Sequence, residues 1–292
     1  MLVIAGLGLY NLRDISMGTL EMLCRSSKVF IEFYTSLMPD FKLEELEKII
    51  GKNIQVLRRS QLEGDQLNQI VYDAKHEDIV LLVPGDPFVA TTHNVIRLTA
   101  IKQGVKVVAL PAPSVINAVL ASTGLHIYKM GRPVTIIKPT PSYFPSTPYH
   151  VFYENLIRGL HTLFLLDLDV EKGYAMTACE AIEILRLLEE KEKLGIIDER
   201  TPFIAVARAT SPDESVKVMK LGELIDLGPP PHSLVVPGRL NPVEMEILQA
   251  LTSVSEALLV DWNKRVVSLM YTNTSYNGLT NGDKGLDIDE TF

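Results

Sequence analysis

The 292 residues predict an α/β protein in two parts, a mostly parallel N-terminal sheet followed by a mixed α+β C-terminal domain. Three observations carry that expectation. Short apolar runs alternate with helix-spaced apolar positions through the first third, the pattern of βαβ units whose strands are buried on both faces. Three of those runs end in Gly- and Pro-rich turns: Gly6-Leu7-Gly8, Pro84-Gly85-Asp86-Pro87 and Pro111-Ala112-Pro113-Ser114. Beyond residue 114 strand-like stretches outnumber the helices between them, which suits a mixed sheet better than a parallel one.

The elements follow in order. Leu2–Ala5 is an apolar run closed by glycine, and residues 16–25 carry Met17, Leu20, Leu23 and Cys24 at helical spacing. Val29, Ile31 and Phe33 alternate as a strand. A helix over 43–50 stops near Gly51, and a strand covers 53–57. The next helix shows Leu67, Ile70, Val71 and Ala74 on one face, and a continuous apolar strand fills 78–83. Thr91 or Thr92 can cap the following helix, which ends at Gly104, before a strand at 105–110. A helix from about 114 to 121 leads to Gly124. Strands are then expected at 133–138, 161–168, 202–207, 215–220 and 233–236, with long helices at about 149–159 and 177–193. The expected division is 1–112 and 113–271, with a polar, disordered tail over 272–292. Residues 139–148 hold four prolines beside Tyr143, Phe144 and Tyr149, and read as a surface loop with exposed aromatics available to a substrate.

Composition narrows the function classes. With 47% apolar residues the chain can bury a substantial core, and no apolar run approaches the roughly 18–20 residues that span a bilayer. The N-terminus reads as a first strand and not as a signal peptide. Twenty-eight basic against thirty-six acidic residues give a net charge of −8 with the basic residues dispersed, which speaks against nucleic acid and for a cytoplasmic protein. Arg58-Arg59 is the densest basic pair and reads as a solvated strand end. Cys24 and Cys179 read as small buried hydrophobes, and the six scattered histidines form no metal-ligand cluster.

The turns carry the chemistry. Gly6-Leu7-Gly8-Leu9-Tyr10-Asn11 sits where dinucleotide folds bind pyrophosphate, but it lacks the third glycine, and Glu32 meets the acidic position only loosely. Two glycines at a strand's carboxyl end instead offer close backbone approach to a flat ligand without phosphates, such as an adenosine. Asp86, held between Gly85 and Pro87 at another strand's carboxyl end, would face the same crevice, and Ser114 would cap the next helix there.

Those turns, with the segments between and beyond them, resemble the diphthine synthases, a branch of the tetrapyrrole-methylase-type, S-adenosylmethionine-dependent methyltransferases. The resemblance runs from residue 1 to about 250. It rests on Glu32-Phe33-Tyr34-Thr35-Ser36, Pro87 to His93, Gly124 to Lys129, Gly159 to Leu163, Ala207-Arg208-Ala209, Pro230-Pro231-His232 and Val236-Pro237-Gly238. It implies a tetrapyrrole-methylase-like fold and a homodimer. S-adenosyl-L-methionine would be bound between the domains by Leu9, Asp86, Val89, Ser114, Val115, Leu166, Val206 and His232, leaving S-adenosyl-L-homocysteine. From composition alone, Leu166 and Val206 would be plain strand core and His232 an exposed loop histidine. The run from Leu165-Leu166-Asp167-Leu168 almost directly to Met176 resembles the shorter, archaeal-type form.

The resemblance further implies the acceptor: the amino group of a 3-amino-3-carboxypropyl-modified histidine on translation elongation factor 2, methylated to diphthine on the way to diphthamide. An amine displacing an activated sulfonium needs no metal and no covalent nucleophile, and no catalytic base stands out in the sequence. The superfamily turns by themselves leave room for a tetrapyrrole or ribosomal RNA substrate, or for a homologue that binds the cofactor without turnover.

Overall fold

The computed structural model describes residues 1–223 and 225–274. Leu2–Gly6 (β1), Lys28–Glu32 (β2), Gln55–Leu57 (β3), Ile79–Val83 (β4) and Val107–Leu110 (β5) form an all-parallel sheet in the order β3-β2-β4-β1-β5. β1 lies between β4 and β5, with Leu2 opposite both Ile79 and Val107. Side chains alternate across the pleat, so each strand feeds two layers. Val3, Ala5, Val80 and Leu82 pack with Leu23 from Met17–Arg25 (α1) and with Leu46 and Ile50 from Leu43–Ile50 (α2). Leu2, Ile4, Ile79, Leu81 and Val83 pack with Leu62 of the short helix Arg59–Leu62 (α3), with Asp65–Asp73 (α4) and with Asn94–Lys102 (α5). Strands buried on both faces need apolar residues at consecutive positions, which is why β1 and β4 read as unbroken apolar runs.

The second half crosses over through Val115–Thr123 (α6), which ends at Gly124 in the left-handed conformation. Val134–Ile136 (β6) and, after Thr147–Leu156 (α7), Thr162–Leu166 (β7) pair in parallel. Leu168–Asp169 (β8) and Tyr174–Ala175 (β9) make a small antiparallel ribbon ahead of Ala178–Glu192 (α8). Phe203–Ala207 (β10), Ser215–Met219 (β11) and His232–Val236 (β12) complete a second sheet, ordered β11-β10-β12-β7-β6 and antiparallel except at β6–β7. Pro242–Thr252 (α9) covers one face of it together with α6. Glu256–Thr274 (α10) covers the other together with α7 and α8, where Trp262 is fully buried and its indole N–H donates to the Pro237 carbonyl at 2.9 Å.

Several expectations change. α9 and α10 were not among the expected helices. Residues 272–274 continue α10 and are not tail, and the remainder of the expected tail lies outside the described residues. Tyr149 is fully buried in α7 and Phe144 packs against the second core, so of the three loop aromatics only Tyr143 is exposed. Cys24 is exposed and Cys179 partly buried: α1 has nine residues and turns Leu23 inward, leaving its neighbour outside. Neither Thr91 nor Thr92 caps α5. His93 occupies that position, and the Thr91 hydroxyl donates to the Pro87 carbonyl instead.

Candidate functional site

The carboxyl ends of β1, β2, β4 and β5 open towards β7, β10 and β12 of the second sheet, and between them lies a cavity of about 360 Å³. All eight residues expected to hold a cofactor line it: Leu9, Asp86, Val89, Ser114, Val115, Leu166, Val206 and His232. Their placement follows from the chain's local chemistry. The Gly6-Leu7-Gly8 turn lies against the Pro84-Gly85-Asp86 turn, with Gly8 and Gly85 exchanging backbone hydrogen bonds at 3.3 and 2.7 Å.

The glycines serve this junction and not the ligand. A β-carbon on Gly6 would sit 2.5 Å from the Gly85 carbonyl oxygen, and one on Gly8, at φ +82°, would sit 2.1 Å from the β-carbon of Asp14. The expectation that they admit a ligand's flat face is therefore corrected: they admit neighbouring loops. Asp14 fills the concavity, its carboxylate accepting from the backbone amides of Leu9 (2.9 Å) and Tyr10 (2.8 Å).

Asp86 has a comparable duty. One carboxylate oxygen accepts from Phe88 N at 2.9 Å and the other from Ala112 N at 3.3 Å, tying the second turn to the third. Ser114 precedes α6, and both its amide and its hydroxyl bond the Asn117 side-chain oxygen, at 2.7 and 3.0 Å. His232 is buried at the start of β12. Its Nδ1 accepts from Ala178 N (3.3 Å), which leaves Nε2–H to donate to the Gly228 carbonyl (3.1 Å). Desolvation depresses its pKa, so the ring stays neutral and offers the cavity a face, not a proton.

The walls suit an adenosine and a methionyl chain better than a phosphate. Among the described residues two cations line the cavity, Arg59 and Arg208. Arg208 is spent on Asp213 (2.8 Å) and on the carbonyls of Leu227 (2.8 Å) and Pro229 (2.6 Å). Arg59 holds its Cζ 5.0 Å from the Tyr34 ring centroid and has no ion-pair partner among the described residues. No group of three or more His, Cys, Asp or Glu side chains that could hold a metal occurs among the described residues.

Sequence reasoning did not single out Tyr34, Thr35, Arg59 or Arg208 as site residues, yet all four line the cavity. Behind Thr35 lies Glu32, fully buried at the end of β2. Its carboxylate accepts from Tyr34 N at 2.7 Å, from Thr35 N at 3.1 Å and from the Thr35 hydroxyl. Burial outweighs those bonds and pushes the carboxyl up to about 7. His93 Nε2 stands 3.7 Å from Glu32, too far for a hydrogen bond, and neither ring nitrogen has a partner among the described residues. Burial, opposed by the Pro87 carbonyl, lowers the His93 pKa to about 4. The 3.7 Å separation alone suggests an ion pair, but both groups shift towards neutrality, and desolvation decides.

Residues 1–225 match the family of Tetrapyrrole (Corrin/Porphyrin) Methylases. The chain is similar to a diphthine synthase of Methanococcus vannielii, 42% identical over 253 residues that span 86% of this chain and 98% of the relative. The chain belongs to the diphthine synthase family. A second diphthine synthase, from Methanocaldococcus jannaschii, is 41% identical over 255 residues, with the same shares covered. A crystal structure of a diphthine synthase matches with a TM-score of 0.79 at 35% identity, covering 89% of this chain and 98% of that one. This member of the family is accordingly an S-adenosylmethionine-dependent methyltransferase of the tetrapyrrole methylase fold.

The family segments divide by location. Glu32–Ser36 and Pro87–His93 build the cavity, whereas Gly124–Lys129, Gly159–Leu163 and Val236–Gly238 contribute no lining residue to it. They converge on a second buried carboxylate, Glu244 of α9. Its Oε1 accepts from His161 Nε2 (3.0 Å) and His126 N (3.0 Å), and its Oε2 from Lys129 Nζ (2.5 Å) and Asn241 N (2.8 Å). His161 Nδ1 in turn accepts from Gly238 N at 2.9 Å.

Proposed function

We propose that the protein transfers methyl groups from S-adenosyl-L-methionine to the amine of a 3-amino-3-carboxypropyl-modified histidine on translation elongation factor 2, giving diphthine. The observation that carries the reading is a single cavity lined both by the eight expected donor residues and by the Glu32–Ser36 and Pro87–His93 segments. Leu9, Val89, Val115, Leu166 and Val206 would enclose the adenosine and methionyl parts, and His232 would stack by its ring face. Asp86 would hold the turn and favour the sulfonium charge. The bound donor supplies an activated methyl group and a neutral thioether leaving group, so the protein's task is alignment and the reception of a proton.

Arg59 fits the acceptor's carboxylate, since it lies in the cavity wall with no ion-pair partner among the described residues. The protein substrate brings its modified histidine to the mouth between the two sheets. We further propose domains over 1–112 and 113–271, a homodimer, and a cytoplasmic location. No helix among the described residues is long and apolar enough to cross a membrane.

The test is a mass spectrum of the factor's modified peptide before and after incubation with labelled donor, using elongation factor from cells that lack this activity. A mass unchanged at the modified histidine overturns the reading. Asp86→Ala should weaken donor binding by about 1.5–3 kcal/mol, roughly ten- to a hundredfold by calorimetry. Unaltered affinity with the fold intact would reduce Asp86 to a turn former.

A further inference from the structure

We infer that Glu32, acting through the Thr35 hydroxyl, receives the proton that the acceptor amine must lose. The inference rests on the proposed amine substrate and names the proton acceptor that the sequence leaves open. Thr35 lines the cavity and is half-buried, while Glu32 lies wholly behind it, so no substrate atom reaches the carboxylate directly. The direction of the bond between them matters. Glu32 already takes two backbone N–H donors and the Thr35 hydroxyl proton. With its proton turned inward, the hydroxyl presents its lone pairs to the cavity, where an ammonium can donate to them.

The surroundings leave the carboxylate without a compensating cation. His93 stands 3.7 Å away from the element preceding α5, and its ring is buried and neutral. Tyr34 stacks on that ring at 6.3 Å, and its hydroxyl ionises only well above the usual tyrosine range because of burial and the Glu32 charge. Arg59 of α3 acts on Glu32 from a distance, without a hydrogen bond, and Glu63 adds negative charge near Tyr34. An ammonium at Thr35 would supply the missing positive charge.

The step balances as follows. The bound ammonium gives one N–H proton to the Thr35 oxygen as that hydroxyl's own proton passes to Glu32. The freed nitrogen lone pair forms the new N–C bond, and the C–S bond breaks with its electron pair going to sulfur. The charge lost by the sulfonium reappears on the methylated nitrogen. Glu32 returns its proton by the same hydroxyl once the product leaves. A carboxyl poised near neutrality can take the proton and release it again.

A merely structural role for Glu32 would be to hold the Tyr34–Thr35 turn, and Glu32→Gln keeps an oxygen for those amides. The full-length protein, Glu32→Gln, Thr35→Val and Thr35→Ser are each given labelled donor and the modified elongation factor, and single-turnover rates are followed from about pH 6 to 9. The unaltered protein should gain rate with pH and level off above about 7. Glu32→Gln and Thr35→Val should be slower at neutral pH by roughly a hundredfold, with rates that keep climbing as hydroxide substitutes, while donor affinity is unchanged. Thr35→Ser should restore both rate and bend. Thr35 is half-buried, so its variants test the relay even if Glu32→Gln fails to fold. A Glu32→Gln or Thr35→Val protein with the unaltered rate and bend overturns the relay alone. An unaltered protein that leaves the factor unlabelled overturns the functional reading, and the relay with it.

Discussion

Two buried glutamate–histidine pairs, one in each half of the molecule, have opposite electrostatics. Glu244 faces His161 at 3.0 Å and also takes Lys129 and two backbone amides. Burial pushes its carboxyl up most, yet the hydrogen bonds from His161, Lys129, Asn241 and His126 together hold it far below the usual carboxylate range. Glu32 and His93 are as deeply buried, but they stand 3.7 Å apart with no cation between them, and burial prevails. A large part of the difference lies in the supply of donors, above all the His161 ring and the Lys129 ammonium on Glu244. A carboxylate with every lone pair met behaves as a clamp on its loops, whereas one left short becomes an acid–base group. The clamp stands clear of the cavity and the acid–base group stands against its wall, which is where each is useful.

The contrast can be broken most forcefully at Glu244. Glu244→Ala strips the partner from buried His161 and from Lys129, and should cost about 3–5 kcal/mol of stability. Chemical denaturation would show it, while donor affinity of the folded fraction stays the same. A loss below about 1 kcal/mol would mean that the network is ornamental. His161→Phe should cost somewhat less, about 1–3 kcal/mol, since it removes one of the two donors to Glu244 Oε1 and leaves Gly238 N unmet. The matching His93→Phe should lie within about 1 kcal/mol of neutral, because neither ring nitrogen has a hydrogen-bond partner among the described residues and only the weaker pull of the Pro87 carbonyl is lost. Equal losses at the two histidines would erase the comparison.

The remaining effect is a slope with pH. Glu32 has a folded pKa of about 7 against an ordinary 4.5, so the folded state binds the extra proton between those values. Stability from this group is therefore present below about 4.5, declines as pH rises to about 7 and is flat beyond. The stability of the unaltered protein relative to Glu32→Gln should fall across that window in melts at stepped pH. A difference that does not vary with pH would show the carboxyl to be unperturbed.

Much of the fold was legible because burial on both faces forces unbroken apolar runs, as in β1 and β4, and because Gly51 and Gly124 mark helix ends. α9 was missed despite a readable start: Asn241 and Glu244 bond each other's backbone amides around Pro242, a reciprocal cap visible as Asn-Pro-x-Glu. α10 also had its signal, since Leu259, Trp262 and Val266 recur at helical spacing and are fully buried. The eight cavity residues were placed through resemblance, because nothing in the composition of Leu166 or Val206 separates a ligand wall from a strand core. The starved state of Glu32 could not be read at all. Burial and donor supply depend on what α3 and the segment before α5 bring to it from 27 and 61 residues further along, at Arg59 and His93.

The seam between the Gly6-Leu7-Gly8 and Gly85 turns is written in main-chain atoms, with Asp14 and Asp86 as its pegs. Such a socket constrains few side-chain identities beyond the glycines and the two aspartates. On the proposed function, acceptor preference would by contrast reside in replaceable side chains across the cavity, such as Thr35 and Arg59. One scaffold can thus keep a constant reagent while its clientele diversifies, and the breadth of a lineage named for corrins and porphyrins is what that separation of labour would produce.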